Sequence, residues 1–333
     1  GSRPGPACYG LGGELPTVTD ADLVLGFLDP AFFLGGRMPI SRELAEQAIA
    51  RHIAEPLALG VVEAAWAIHQ LVNENMASAA RIHAVEHGKD PRAFPLFAFG
   101  GAGPVHAYRV AEILDAREIL CPFAAGVGST VGFLAAPLAF DYVRSAYAVL
   151  DHANWPRIDQ LYDEMEAEGR ALLATSGVAP GEVRVTRTSD MRLLGQAHEI
   201  SVPLPGGALS AARAPEVFDA FNRAYQELYR RARPEVSIEA LSWRVRLAGP
   251  RPELRLGQQV TAEAGEPRKG ARPVYFPELG GFHDTPVYDR YRLRPGDTLS
   301  GPAIIEERES TVVVGPKGTV TVDPYRNLEV RLT

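Results

Sequence analysis

Apolar residues recur at helical spacing in some stretches of this chain and gather in short runs of strand length in others. The clearest helical pattern is GVVEAAWAIHQLVNENMASAARIHAVEHG, residues 60–88. There Val61, Ala65, Ile68, Val72, Met76 and Ala79 return every three or four positions and form one apolar stripe, which Gly88 closes. Further helices are predicted after Thr19 or Asp20, from Ser41 through SRELAEQAIARHIAEPL, over AGPVHAYRVAEILDA and AAGVGSTVGFLAAP, across 155–175, and over EVFDAFNRAYQELYRRA. Thr19 or Asp20 suits an N-cap, and Asp22 then sits near the positive end of its helix. FPLFAFG and REILCP are short and nearly all apolar, so they predict strands buried on both faces.

The pattern changes near residue 137. AFDYVRSAYAVL, EVRVTRTSDMRLLGQAHEISVPLP and IEALSWRVRLAGP have strand character, before, between and after the last two helices in turn. After Pro250 come a loop-rich stretch and the short strands PVYF, TPVYDRY, GPAIIEE, STVVVG, GTVTVD and NLEVRLT. The expectation is an α/β region over 1–140, an α+β domain over 141–250 and a small β-rich module over 251–333, with surface loops at 206–214 and 256–272.

Composition narrows the function classes. The chain has 333 residues, 46% hydrophobic and 23% charged, as a soluble globular protein of two or three domains does. A net charge of −7 argues against nucleic acid or an anionic membrane as a partner. No apolar run approaches the ~20 residues that span a bilayer. Two cysteines, Cys8 and Cys121, build no disulfide framework and read as reduced thiols in a cytoplasm. The chain opens GSRPGPACYG without a start methionine. Gly1-Ser2 reads as a tag scar or a native segment, and the chain as a piece of something longer.

Candidate chemistry gathers first in FAFGGAGPVHA, residues 97–107, which has the grammar of strand, glycine turn and helix start. Gly100 and Gly101 let the backbone turn where a β-carbon would clash, and Pro104 fits a first helical turn. Amides exposed there can face a phosphate or a nucleoside, while the plain alternative is a tight turn with no ligand. His106, on the first turn of that helix, either touches a ligand or packs. Asp20 and Asp22 read as metal or water ligands, or more simply as a cap and a first-turn charge. Arg192, Gln196, His198 and Glu199 make a polar cluster. If that stretch is a strand, His198 and Gln196 share a face opposite Glu199, which disfavours a shared metal. Cys8 reads as a packing residue rather than a nucleophile. Asn73, Glu74 and Asn75 interrupt the long helix without a role that the sequence decides.

FAFGGAGPVHA resembles a signature of the hydantoinase A / 5-oxoprolinase / acetone carboxylase β-subunit family. So do RPGPACYGLGGELPTVTDADLVLGFLDPAFFLGG, RLLGQAHEISVPLP and GPAIIEERESTVVVGP, in order along nearly the whole chain. The resemblance implies a partial actin-like ATPase (ribonuclease H-like) lobe over 1–140. It places the adenosine side of a nucleotide at Gly100, Gly101, Gly103 and Pro104. It raises Asp20 as a site residue and leaves His106 and His198 as further catalytic candidates, with no metal ligand named. It implies ATP and Mg²⁺ in a complete protein that opens a cyclic amide through a phosphorylated intermediate, with a hydantoinase B-type partner subunit. A ketone carboxylase subunit and a non-catalytic scaffold remain the alternatives. The family's phosphate loops lie upstream of PGPACYG, and no DxGGT stretch occurs here, so the chain is expected to be a C-terminal portion that is inactive alone.

Overall fold

The computed structural model describes residues 3–231, 233, 235–253 and 261–333. Its helices are α1 Val18–Val24, α2 Arg42–Ile49, α3 Glu55–Leu57, α4 Val61–Glu86, α5 Gly103–Leu114, α6 Gly128–Ala135, α7 Trp155–Thr175 and α8 Ala214–Tyr229. Its strands are β1 Leu96–Phe97, β2 Glu118–Cys121, β3 Ala139–Val149, β4 Arg184–Leu193, β5 Ile200–Pro203, β6 Ile238–Ala248, β7 Arg268–Phe276, β8 Gly281–Asp289, β9 Thr298–Ser300, β10 Ala303–Glu306, β11 Thr311–Val314, β12 Gly318–Val322 and β13 Leu328–Leu332. The described residues fall into two compact units, 3–132 with 261–333, and 133–253.

The first unit carries two sheets. One has the order β1-β2-β13-β12-β9 and the other β11-β10-β8-β7. The C-terminal strands are thus not a separate module over 251–333. β13 pairs antiparallel with β2, Val330 against Ile119, and places Val330 and Leu328 in one core with Ala107, Tyr108 and Ala111 of α5. Hydrophobic burial explains the difference. Strands of four or five residues complete a core only by borrowing a face from another element. A second cluster joins α1, α2 and α4 to Val274, Phe276 and Val287 of β7 and β8.

Four sequence expectations change here. FPLFAFG contributes two residues of strand at a sheet edge, paired with β2 alone, and leaves Phe97 and Phe99 exposed. The deepest line of α4 shares Ala65 with the predicted stripe but continues through His69, Asn73 and Ala77, and is half polar. The cap of α1 is Thr17, two residues before Thr19. Its hydroxyl accepts from the amide of Asp20, whose carboxylate reaches back to the Thr17 amide at 2.7 Å. Of the loop expected at 256–272, residues 256–260 lie outside the described residues, and 268–272 form part of β7.

The second unit is an antiparallel sheet, β3-β6-β4-β5, with α7 against β3 and β6 and α8 against β5. Its core centres on Trp243, whose indole N–H donates to the carbonyl of Ala146 at 2.8 Å and whose ring meets Tyr162 edge-on. No helix among the described residues is long and apolar enough to cross a membrane.

Trp243 is fully buried, so Trp243→Ala removes a large packed side chain and its hydrogen bond. The expected cost is about 3–5 kcal/mol, read as a fall in the urea midpoint. A loss below about 1 kcal/mol contradicts this packing.

Candidate functional site

The glycine turn and the start of α5 form one wall of a hollow of about 220 Å³. Gly100 has φ +91, in the left-handed region that glycine enters without strain, and its amide donates to the carbonyl of Ala125 at 2.7 Å. Pro104 occupies the first turn of α5, where its missing amide hydrogen costs nothing. Gly101 and Ala102 are exposed and line the hollow with Val105, Tyr9, Thr19, Asp22, Phe32 and the 306–311 segment. A β-carbon at Gly100 or Gly103 would meet open space. The bend is therefore not packed under other protein: it borders a hollow large enough to admit a ligand.

The opposite wall is GPAIIEERESTVVVGP, held by two buried carboxylates. Glu306 is ion-paired with Lys269 and Arg272, and Arg272 also donates to the carbonyls of Gly26 and Phe27, both at 2.8 Å. Glu307 accepts from the consecutive amides of Ala124 and Ala125, both at 3.1 Å, and from the hydroxyl of Ser310 at 2.9 Å. Arg290, 1% exposed, pairs with it at 3.2 Å, and burial lowers the pKa of that guanidinium. Gly126 lets these loops meet, since a β-carbon there would stand 2.5 Å from the carbonyl oxygen of Glu309.

Behind the hollow, α1, α4 and α5 meet at a buried polar cluster. The imidazole of His69 donates from Nδ1 to Asp22 Oδ1 at 2.8 Å. His106 Nε2 lies 3.4 Å from Asp22 Oδ2, and its Nδ1 faces Asn73 Oδ1 at 2.9 Å. The two imidazoles stack with centroids 4.7 Å apart, and His69 also stacks on Trp66. Burial works to raise the Asp22 carboxyl, but hydrogen bonds and attraction to His106 and His69 outweigh it and hold it below the usual carboxylate range. Burial pushes the His69 imidazole down against the opposing pull of Asp22. His69 Nε2 is buried with no hydrogen-bond partner.

The structure sorts the sequence candidates. Of Gly100, Gly101, Gly103 and Pro104, only Gly101 lines the hollow, beside Ala102 and Val105, while His106, in the first turn of α5, faces Asp22. Asp20 is fully buried and points away from ligand chemistry. Its carboxylate accepts from the amides of Cys8 at 2.7 Å and Ala7 at 3.3 Å and so anchors the PGPACYG loop. Cys8 is a packing residue, its thiol pushed up by burial and by Asp20. His198 is exposed in the turn between β4 and β5, in the second unit. That stretch is not a strand, so the alternation argument for His198, Gln196 and Glu199 does not apply. Arg192 pairs with Glu239, and Gln196 donates to the Tyr225 hydroxyl.

Sequence reading passed over His69 and left Asn73 undecided. Their spacing of four on one helix, on the line that faces the core, was the available signal. The pairing of Glu307 with Arg290 and with the 124–125 amides has no local signal, because its partners are distant in sequence.

Residues 1–142 match the family model described as hydantoinase/oxoprolinase, and residues 149–333 match its C-terminal domain. The chain belongs to the hydantoinase/oxoprolinase family. It is 32% identical to the caprolactamase subunit alpha of Pseudomonas jessenii, over 99% of this chain and 48% of that one. The crystal structure of the ATP-dependent caprolactamase from that organism superposes with a TM-score of 0.68 over 100% of this chain and 49% of the other, at 32% identity. A nucleotide-free acetone carboxylase, from work on ATP-dependent acetone carboxylation, gives a TM-score of 0.71 at 27% identity, over 98% of this chain and 48% of that one. 5-Oxoprolinase 1 of Arabidopsis thaliana is 27% identical over 100% of this chain and 27% of its own length. The chain thus spans about half the length, or less, of these relatives.

Glu307→Ala leaves the Arg290 guanidinium buried beside no carboxylate and frees two loop amides. The expected destabilisation is about 3–5 kcal/mol, measured by chemical denaturation. A loss under about 1 kcal/mol shows that the carboxylate does not hold the wall.

Proposed function

We propose that this chain supplies the adenosine side of the nucleotide site in an ATP-dependent hydantoinase/oxoprolinase-type subunit, and that the complete protein hydrolyses a cyclic amide. The carrying observation is the open hollow between the Gly100–Pro104 bend and the 306–311 wall. An actin-like lobe accounts for a glycine bend placed beside a nucleoside. The lining chemistry favours the nucleoside over the triphosphate. Asp22, Asp29, Glu306, Glu307 and Glu309 line the hollow against one lining base, Arg308. Carboxylates accept hydrogen bonds from hydroxyls and amines and repel phosphate oxygens. Asp22, Glu306 and Glu307 are also committed to protein partners, so this donor set does not fit Mg²⁺ with a triphosphate. Phosphoryl transfer, which activates a resonance-stabilised amide toward water, accordingly belongs to groups of the complete protein, and no step of it is assigned to residues of this chain.

Hydrolysis is the leading reaction because caprolactamase and 5-oxoprolinase, by their names, act on cyclic amides, and the former is matched over the whole chain at 32% identity. The likeness to acetone carboxylase, with its TM-score of 0.71, supports ketone carboxylation as the second reading. Relatives named as subunits support a partner subunit, here proposed to be of the hydantoinase B type.

Calorimetric titration tests the nucleoside assignment. Adenosine and ATP are expected to compete for one site on this chain with affinities within about tenfold, because the phosphates find no grip. Ala102→Trp, which fills the hollow from an exposed position, is expected to abolish binding without lowering the melting temperature. ATP binding that survives this substitution, or that exceeds adenosine binding by more than about a hundredfold, contradicts the assignment. Binding of neither ligand, by this chain or by a longer form carrying the upstream phosphate loops, favours the scaffold.

A further inference from the structure

The cluster of Asp22, His69 and His106 buries one carboxylate between two imidazoles and leaves His69 Nε2 without a hydrogen-bond partner. Asp22, His69, His106 and Asn73 are each less than 5% exposed. Among the described residues, the groups ion-paired with Asp22 are the two imidazoles, and neither carries a fixed positive charge. A buried carboxylate without a cation is costly. Asn73 Oδ1 only accepts, so the His106 nitrogen facing it, Nδ1, carries the proton. The other ring nitrogen, Nε2, faces Asp22 Oδ2 at 3.4 Å. A cation held between them balances the buried carboxylate.

The geometry points to a transition-metal site of the Zn²⁺ class, ligated by Asp22, His69 and His106 and oriented by Asn73. One ligand atom from each of the three lies within 4.8 Å of the others. Ligands at about 2.0–2.1 Å in a tetrahedral shell stand about 3.3 Å apart. His106 Nε2 has that separation from Asp22 Oδ2, at 3.4 Å, while His69 Nδ1, 2.8 Å from the other oxygen, Oδ1, opens by about half an ångström as its proton moves to Nε2. The bond from His106 Nδ1 to Asn73 is the outer hydrogen bond that fixes the ring of a metal-bound histidine. Two imidazoles and one carboxylate suit Zn²⁺, Co²⁺ or Fe²⁺ and not Mg²⁺, which requires oxygen donors. The site therefore differs from any Mg²⁺ that accompanies ATP. Three protein ligands leave a fourth position for water. Asp22 is the ligand that also lines the hollow, so an ion there would sit in the floor of that cavity.

Chelator-stripped chain titrated with Co²⁺ tests this directly. About one equivalent is expected to bind with the visible absorption of a low-symmetry nitrogen–oxygen site and to be displaced by Zn²⁺. Asn73→Ala is expected to weaken Zn²⁺ binding about 10–100-fold, and His106→Gln to weaken it further, with folding checked by far-UV circular dichroism. His83 and His87, adjacent on the exposed C-terminal turn of α4, are the competing surface site. The double variant His83→Gln/His87→Gln is expected to keep the absorption. Wild-type chain that stays colourless and takes up no Zn²⁺, or loss of uptake in that surface double variant, overturns the proposal and leaves a hydrogen-bonded tie between three helices.

Discussion

One carboxylate sets the shape of the hollow. Glu307 receives two consecutive loop amides and a serine hydroxyl, and it pairs with a guanidinium that has almost no contact with solvent. Each is a charge-assisted bond in a region of low dielectric, where such bonds are strong and where losing one partner strands the other. The loop it captures carries Ala125, whose carbonyl takes the amide of Gly100. The position of the glycine bend therefore traces back to a residue more than two hundred positions away, in a C-terminal segment that shares the core of the first unit.

That connection explains why the last strands do not form a module of their own. β10 carries Glu306 at its end, and the residues just after it build one wall of the hollow. β12 and β13 extend the sheet that α5 packs against. RLLGQAHEISVPLP belongs to the second unit, while FAFGGAGPVHA and GPAIIEERESTVVVGP, distant in sequence, converge on two faces of the same cavity. The PGPACYG block joins them through Asp20, whose carboxylate ties the loop to the first turn of α1 while Asp22, two residues on, turns inward to the histidines.

Local features were legible in the sequence. The helices α4, α7 and α8 appear at their predicted places, and so do the short C-terminal strands, because element type follows the period of the apolar positions. The glycine bend was legible because glycine and proline restrict backbone geometry without help from distant residues. What escaped depends on pairing. FPLFAFG is apolar enough for a central strand, yet it lies at an edge: among the described residues, β2 is the one strand hydrogen-bonded to it. His69 and Asn73 break the apolar rule on the deepest face of α4, since their polar atoms are met by Asp22 and His106 from two other helices. Polar residues on a core-facing line are where pattern reading fails and where chemistry concentrates.

The central claim is that the cavity beside the Gly100–Pro104 bend takes a nucleoside. Photolabelling with an azido-adenosine probe, followed by peptide mapping, tests it most directly. The account predicts label on peptides carrying residues 97–107 or 306–311, suppressed by excess adenosine. Suppressible label confined to the second unit, residues 133–253, would contradict it.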